Sequence, residues 1–102
     1  MTGQIIPLTA QAAQSLKVQI SQQDVRLDIR QRSTGLYMDI WLNDTQILTG
    51  VICEDRNWIV RDAYFGMPGD LMFIDQEGTS DPTYDGLGDR YVLAYVEGAN
   101  VG

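Results

Sequence analysis

Alternation of apolar and polar side chains is the feature that most constrains this chain. Across residues 25–30, apolar side chains point to one side of an extended backbone and charged ones to the other. The same period of two returns across residues 36–42, after a turn at 32–35 in which Gly35 can adopt positive φ. Such segments form sheets with one buried and one hydrated face, and two in succession predict a β-hairpin.

The same pattern predicts further strands on both sides of this hairpin. Residues 16–20 alternate, and residues 47–53 form a strand in which Gly50 marks a bulge or a bend. Residues 71–75 form a short apolar strand. Residues 91–96 are apolar on both faces, which is typical of a strand that is central or covered on both sides.

Turns and irregular segments separate these strands. Residues 43–46 and 66–69 are predicted turns, and residues 58–61 form a short strand or an irregular crossing. Residues 9–14 have local helix propensity but are too few to form a helix without packing. About six or seven short strands predict an all-β fold, either a small antiparallel β-sandwich or a small β-barrel.

Size and charge restrict what the chain can bind. Its 102 residues predict one domain, residues 1–102. Fourteen acidic and seven basic residues give a net charge of −7, which argues against nucleic acid and against an anionic membrane surface as partners. The N-terminus shows no signal peptide, and no apolar run is long enough to span a membrane.

The sequence contains few side chains that could act in catalysis or bind a metal. The chain has no histidine, which removes the commonest general base and metal ligand. Its single cysteine, Cys53, lies in an apolar run and is predicted to be a small buried side chain in a reducing compartment. We therefore predict no catalytic residue, no metal site, no cofactor and no small-molecule substrate.

Acidic residues in the segment 76–89 and just before it leave one alternative open. Asp75, Glu77 and Asp81 could supply oxygen ligands to calcium, although their spacing does not match an EF-hand. The competing interpretation is a solvated loop whose Asp, Ser and Gly residues form turns.

Aromatic residues occupy the polar side of one predicted strand. Tyr37 and Trp41 flank Asp39 on the face opposite the aliphatic row of residues 36–42. Aromatic side chains on a hydrated face indicate a contact patch for a partner, unless another segment, such as Trp58 and the residues after it, folds over them.

The order of several short motifs carries a family resemblance across nearly the whole chain. Residues 5–8 (IIPL) precede a strand, residues 37–40 (YMDI) lie in a hairpin, and residues 47–50 (ILTG) follow. The most specific parts are residues 64–69 (YFGMPG) and the block 75–95, which contains DPTYDGLGDRY. In this order the chain resembles the small plug protein of contractile-tailed phage baseplates, described in a cyanophage. Tyr91 departs from the pattern, since a more polar residue is expected there.

The resemblance implies a non-enzymatic structural protein of the virion, made in the host cytoplasm and located in the tail baseplate. Such plugs lie on the tail axis against the baseplate hub and the proteins at the end of the tail tube, so several copies around that axis are expected. The segment 76–89 would be a natural contact arm. The predicted partner-contact residues are Tyr37, Trp41, Trp58, Tyr84, Asp85, Leu87 and Arg90.

Two other functions remain open on the sequence. The acidity fits a small decoy that mimics nucleic acid and inhibits a host nucleic-acid-binding protein, although the alternating signs of Arg26, Asp28 and Arg30 argue against it. The acidic residues of 75–81 would fit a calcium-dependent carbohydrate-binding module.

Overall fold

Seven strands form almost all of the regular structure in the computed structural model, which describes residues 3–20, 22–61 and 69–99. A single turn of 3-10 helix, Tyr84–Gly86, lies between the last two strands. The strands are β1 Gly3–Ile6, β2 Ala13–Ile20, β3 Gln23–Arg32, β4 Gly35–Leu42, β5 Thr45–Cys53, β6 Gly69–Asp75 and β7 Tyr91–Glu97.

The strands form two antiparallel sheets. β2, β3, β4 and β5 are joined in sequence order into a four-stranded meander, because each connects to the next by a short turn. The second sheet has the order β1-β7-β6, so β7 is central, as its apolar faces predicted. The sheets do not close into a barrel, and of the two predicted architectures the protein adopts the sandwich.

The core lies between the inner faces of the two sheets. The four-stranded sheet contributes the apolar side of each alternating segment, and the three-stranded sheet contributes Leu71, Phe73 and Leu93, all fully buried. Each large apolar side chain buried in this way stabilises the fold by roughly 1.5–3 kcal/mol before entropy is counted. The fully buried side chains of β3 and β4 are Val25, Leu27, Ile29, Leu36, Met38 and Ile40.

Local backbone chemistry sets the register of the meander. Asn43 and Asp44 both have positive φ, +50° and +69°, which is the conformation that a tight two-residue hairpin turn requires. Gly50 has φ +64° and lies where the β4–β5 register shifts, so the predicted bulge is confirmed. A second register shift lies between Ile40 and Trp41. β5 therefore has two more residues than the stretch of β4 with which it pairs.

Three segments differ from the structure predicted for them or lie partly outside the described residues. Residues 9–12 are irregular, with bends at Ala10 and Ala12, and β2 begins at Ala13 within the segment for which helix propensity had been noted. Residues 58–61 are irregular except for one bridge from Trp58 to Met72 of β6. Most of the predicted turn 66–69 lies outside the described residues, and its last residue, Gly69, begins β6.

Candidate partner-contact surfaces

The outer face of β4 presents the aromatic patch that the sequence predicted. Tyr37, Asp39 and Trp41 lie there, since Met38 and Ile40 between them point into the core. The guanidinium carbon of Arg26 lies 4.6 Å from the centre of the Trp41 ring, which is cation–π distance. Both aromatic side chains are half-buried. The patch is therefore a packed aromatic and arginine surface facing away from the core.

Two carboxylates on this outer face are bound within the sheet. Asp28 is 6% exposed and accepts hydrogen bonds from the Ser15 hydroxyl and from Arg26, whose Nε lies 3.2 Å from Asp28 Oδ1. Asp39 accepts hydrogen bonds from the amide of Gly50 at 2.6 Å and from the Thr49 hydroxyl at 3.2 Å, which holds the β5 bulge. The hydrogen bonds that Asp28 and Asp39 accept therefore hold neighbouring strands of the sheet together.

The segment 76–89, here called the end loop, is anchored through an ion pair between a buried carboxylate and a half-buried arginine. Asp75 is fully buried and receives Arg90 in two parallel contacts of 2.9 and 3.0 Å. The amides of Glu77 and Ser80 also donate to Asp75, at 2.9 and 2.8 Å. The hydrogen bond from Arg90, followed by these amides, lowers the pKa of Asp75 well below its ordinary range, and the same bond raises the pKa of Arg90.

Further contacts hold the middle of the end loop against the body. Arg56 donates to the carbonyl of Gly78 at 3.0 Å, and the amide of Tyr84 donates to the Gln31 side chain at 3.0 Å. Leu87 is 3% exposed and belongs to the core. The loop thus has fixed contacts to β3, to the segment after β5 and to the core.

Tyr91, the departure from the family pattern, packs inside this arrangement. Its side chain is 5% exposed, and the Arg90 guanidinium carbon lies 5.1 Å from its ring centre. A Cβ atom added at Gly86 would lie 2.7 Å from the same ring, so the loop approaches Tyr91 with no room for a side chain there.

Three more carboxylates, which the sequence analysis did not single out as structural, bind backbone amides. Asp70 is fully buried and accepts from the amides of Val60 and Arg61, each at 2.7 Å. Asp55 accepts from the amide of Asp75 at 2.7 Å, and Asp81 accepts from the amide of Asp55 at 3.0 Å. An acid directly before the apolar run of β6 was the available signal for Asp70. The others have partners 20 or more residues away, which no local pattern reveals.

Reactive groups are few in the described part of the chain. Burial raises the pKa of Cys53 to about 12, so its thiol stays protonated at neutral pH. No group of three or more acidic or cysteine side chains is placed to hold a metal ion within residues 3–20, 22–61 and 69–99. The described residues include no helix long and apolar enough to cross a membrane.

Comparison with known protein families matches the chain to the family described as the cyanophage baseplate Pam3 plug, gp18. The match covers residues 3–98, which includes every strand of both sheets up to the end of β7 and the whole end loop. The chain belongs to this baseplate plug family. A search of curated proteins found no significant match.

Family membership places the protein in the tail baseplate of the virion as a structural component. The resemblance seen in the sequence is therefore confirmed. Because plugs associate with other baseplate components, exposed side chains of this sandwich are candidates for the contact surface.

The seven predicted contact residues fall on three parts of the plug. Tyr37 and Trp41 share the outer face of β4, and Trp58 lies half-buried beside β6. The remaining four lie in or next to the end loop. Of these, Tyr84 and Asp85 are exposed, Arg90 is half-buried in its pair with Asp75, and Leu87 is buried in the core.

Proposed function

We propose that this protein plugs the central hub of the baseplate at the end of the tail tube, as a non-catalytic subunit present in several copies around the tail axis. The family match over residues 3–98 carries the proposal, because it covers the sandwich as a whole rather than one motif. Residues 1–102 would act as one domain in this role. The hub and the tube-end proteins would be its neighbours.

Two exposed features would make the contacts. Tyr84 is 40% exposed in the end loop, with Asp85 beside it, while the Tyr84 amide is bonded to the Gln31 side chain and Leu87 lies in the core. Tyr37 and Trp41 supply a second aromatic surface on β4. Aromatic side chains with a fixed backing are the usual centres of binding energy in protein interfaces.

The placement of the carboxylates supports a structural role over the alternative of a nucleic-acid decoy. A decoy needs carboxylates in exposed rows at phosphate-like spacing. In this fold Asp55, Asp70 and Asp75 accept hydrogen bonds from backbone amides, and Asp28 and Asp39 hold strands together. These five of the fourteen acidic residues therefore make hydrogen bonds within the fold instead of forming an exposed row.

Incorporation of loop variants into phage particles tests the proposal. Removing the whole loop would confound folding with docking, because Leu87 belongs to the core. The sharper variant is Tyr84→Ala combined with Asp85→Lys, which changes exposed side chains only. The matched control is Glu97→Lys, which makes the same charge change on an exposed residue at the far end of β7 from Tyr91, roughly 20 Å away.

The readout is the amount of plug per purified particle, measured by quantitative mass spectrometry against the tube protein. We expect the loop variant to be depleted and the particles to be defective, while Glu97→Lys is incorporated normally. Normal incorporation of a folded loop variant would exclude the end loop as the contact. Infectious particles assembled without the protein would exclude the plug function altogether.

A further inference from the structure

The free edges of the two sheets are not equivalent. The β5 edge carries two bulges, and the β6 edge is bridged by Asp55 to Phe73 and by Trp58 to Met72. β1 is only four residues long, so it offers a short edge. β2 runs for eight residues in unbroken register with β3, and no other described segment pairs with its far side. Bulges, covering segments and short strands all prevent strand addition, and β2 lacks these three. Its one protecting feature is the exposed Lys17, a charge that opposes unselective pairing and leaves an acidic strand as the favoured partner.

The side chains of β2 suit an added strand. Leu16 and Val18 face the core but stay half-buried, because β2 is the last strand of its sheet. On the outer face, Ser15 and Lys17 are exposed. Surface depressions follow residues 13–19 of the strand. They are lined by residues 13–15 with Asp28 and Arg30, by residues 15–17 with Arg26, and by residues 17–19 with residues 24–26 and Asp44. A neighbouring strand would cover Leu16 and Val18 and lie beside this row.

Two positive charges on and beside β2 indicate that an added strand would carry acidic side chains. Lys17 and Arg30 have no ion-pair or hydrogen-bond partner among the described residues, whereas Arg26, directly opposite Lys17 in the register, is paired with Asp28. Arg30 lies opposite Ala13 in the register, four residues along β2 from Lys17. The two charges are thus about 13 Å apart along the strand, the distance between residues i and i+4 of an extended chain.

We propose that the β2 edge accepts an extended segment of another baseplate protein, added as a fifth strand, with apolar side chains on one face and acidic side chains on the other. Main-chain hydrogen bonds to β2 supply the pairing, and carboxylates near Lys17 and Arg30 set the register and exclude basic segments. The apolar face extends the core over Leu16 and Val18. This edge is separate from the end loop, so its use does not depend on where the end loop docks.

Peptide binding to the full-length protein tests the proposal. The probe is a fluorescein-labelled octapeptide alternating valine and glutamate, acetylated and amidated, followed by anisotropy in about 0.15 M salt so that distant charges are screened. One control peptide replaces glutamate by lysine. A second keeps the glutamates but is N-methylated at alternate residues, which removes the backbone donors along one edge.

We expect the glutamate peptide to bind about tenfold more tightly than either control, because each control removes one of the two recognition elements. Lys17→Glu should weaken binding by about three- to tenfold. Arg32→Glu makes the same charge change at the end of β3, outside the β2 depressions, and should leave binding unchanged. Hydrogen exchange should show new protection of β2 amides when the peptide is present.

Three results would overturn the proposal. Equal binding of the N-methylated peptide would show charge capture without strand pairing, and equal binding of the lysine peptide would remove the acidic partner. A dimer whose β2 amides are protected without peptide would place a second copy on the edge. Failure of all peptides would refute the edge site while leaving the plug function to be decided by particle incorporation.

Discussion

Replacing Asp70 by asparagine should destabilise the protein far more than the loss of one charge suggests. The Asp70 carboxylate is fully buried, with Oδ1 accepting from the amides of Val60 and Leu71 and Oδ2 accepting from the amide of Arg61. Asparagine keeps one oxygen and turns an NH₂ donor toward the remaining amide. A hydrogen bond to a charged group contributes about 1.5–3 kcal/mol, so we expect Asp70→Asn to lower the free energy of unfolding by about 2–3 kcal/mol.

Urea denaturation followed by far-UV circular dichroism would measure this loss, with Asp24→Asn as an exposed control of identical chemistry. The defect should also be local. Hydrogen exchange of the Val60 and Arg61 amides should accelerate more than that of amides in β3 and β4. If Asp70→Asn and Asp24→Asn have the same stability, or if exchange at Val60 and Arg61 is unchanged, the assignment of Asp70 as their shared acceptor is wrong.

Three further predictions follow from the same contacts. Because the folded pKa of Asp75 is depressed by Arg90, the pair stabilises the fold above the ordinary carboxyl value of 3.8, and this contribution is lost as the pH falls below it. Arg90→Gln should therefore flatten the fall in stability below about pH 4 in denaturation curves; an unchanged acid slope would contradict the pairing. Gly50→Ala should cost about 1 kcal/mol by thermal unfolding, since φ is +64° but the site has open space, and Gly50→Asn should cost less. Cys53 should resist iodoacetamide at pH 8 in the native protein and react on unfolding; fast native labelling would show that its thiol is accessible.

The hairpin core of this fold is predictable from sequence because its information is local. The period of two across β3 and β4 fixes which side chains face inward, and the structure buries Leu27 and Ile40 completely. Asn43-Asp44 and Gly50 are residues whose intrinsic backbone preferences match the turn and the bulge that they form. The sequence pattern predicts the structure correctly where a residue's own backbone preference decides it.

The second sheet and the contact surface depend on distant partners. β1 is only four residues long, and it becomes a strand by pairing with β7 about 90 residues later. Asp55 and Asp81 look like solvated loop acids in the sequence, yet they join the segment after β5 to the end loop. Leu87, predicted as a contact residue, lies in the core because the end loop folds back on the sandwich. Pairing at this separation is set by tertiary packing, which a local period cannot encode.

Anchoring the end loop through Asp75, Arg90 and Arg56 has a consequence for assembly. An interface normally loses about 0.5–1.5 kcal/mol for each mobile side chain that it immobilises, and more when a loop must be ordered. In this protein the backbone beneath Tyr84 is already fixed by hydrogen bonds within the free subunit. Docking would therefore freeze few additional torsions, and a small contact area could still hold the subunit in place.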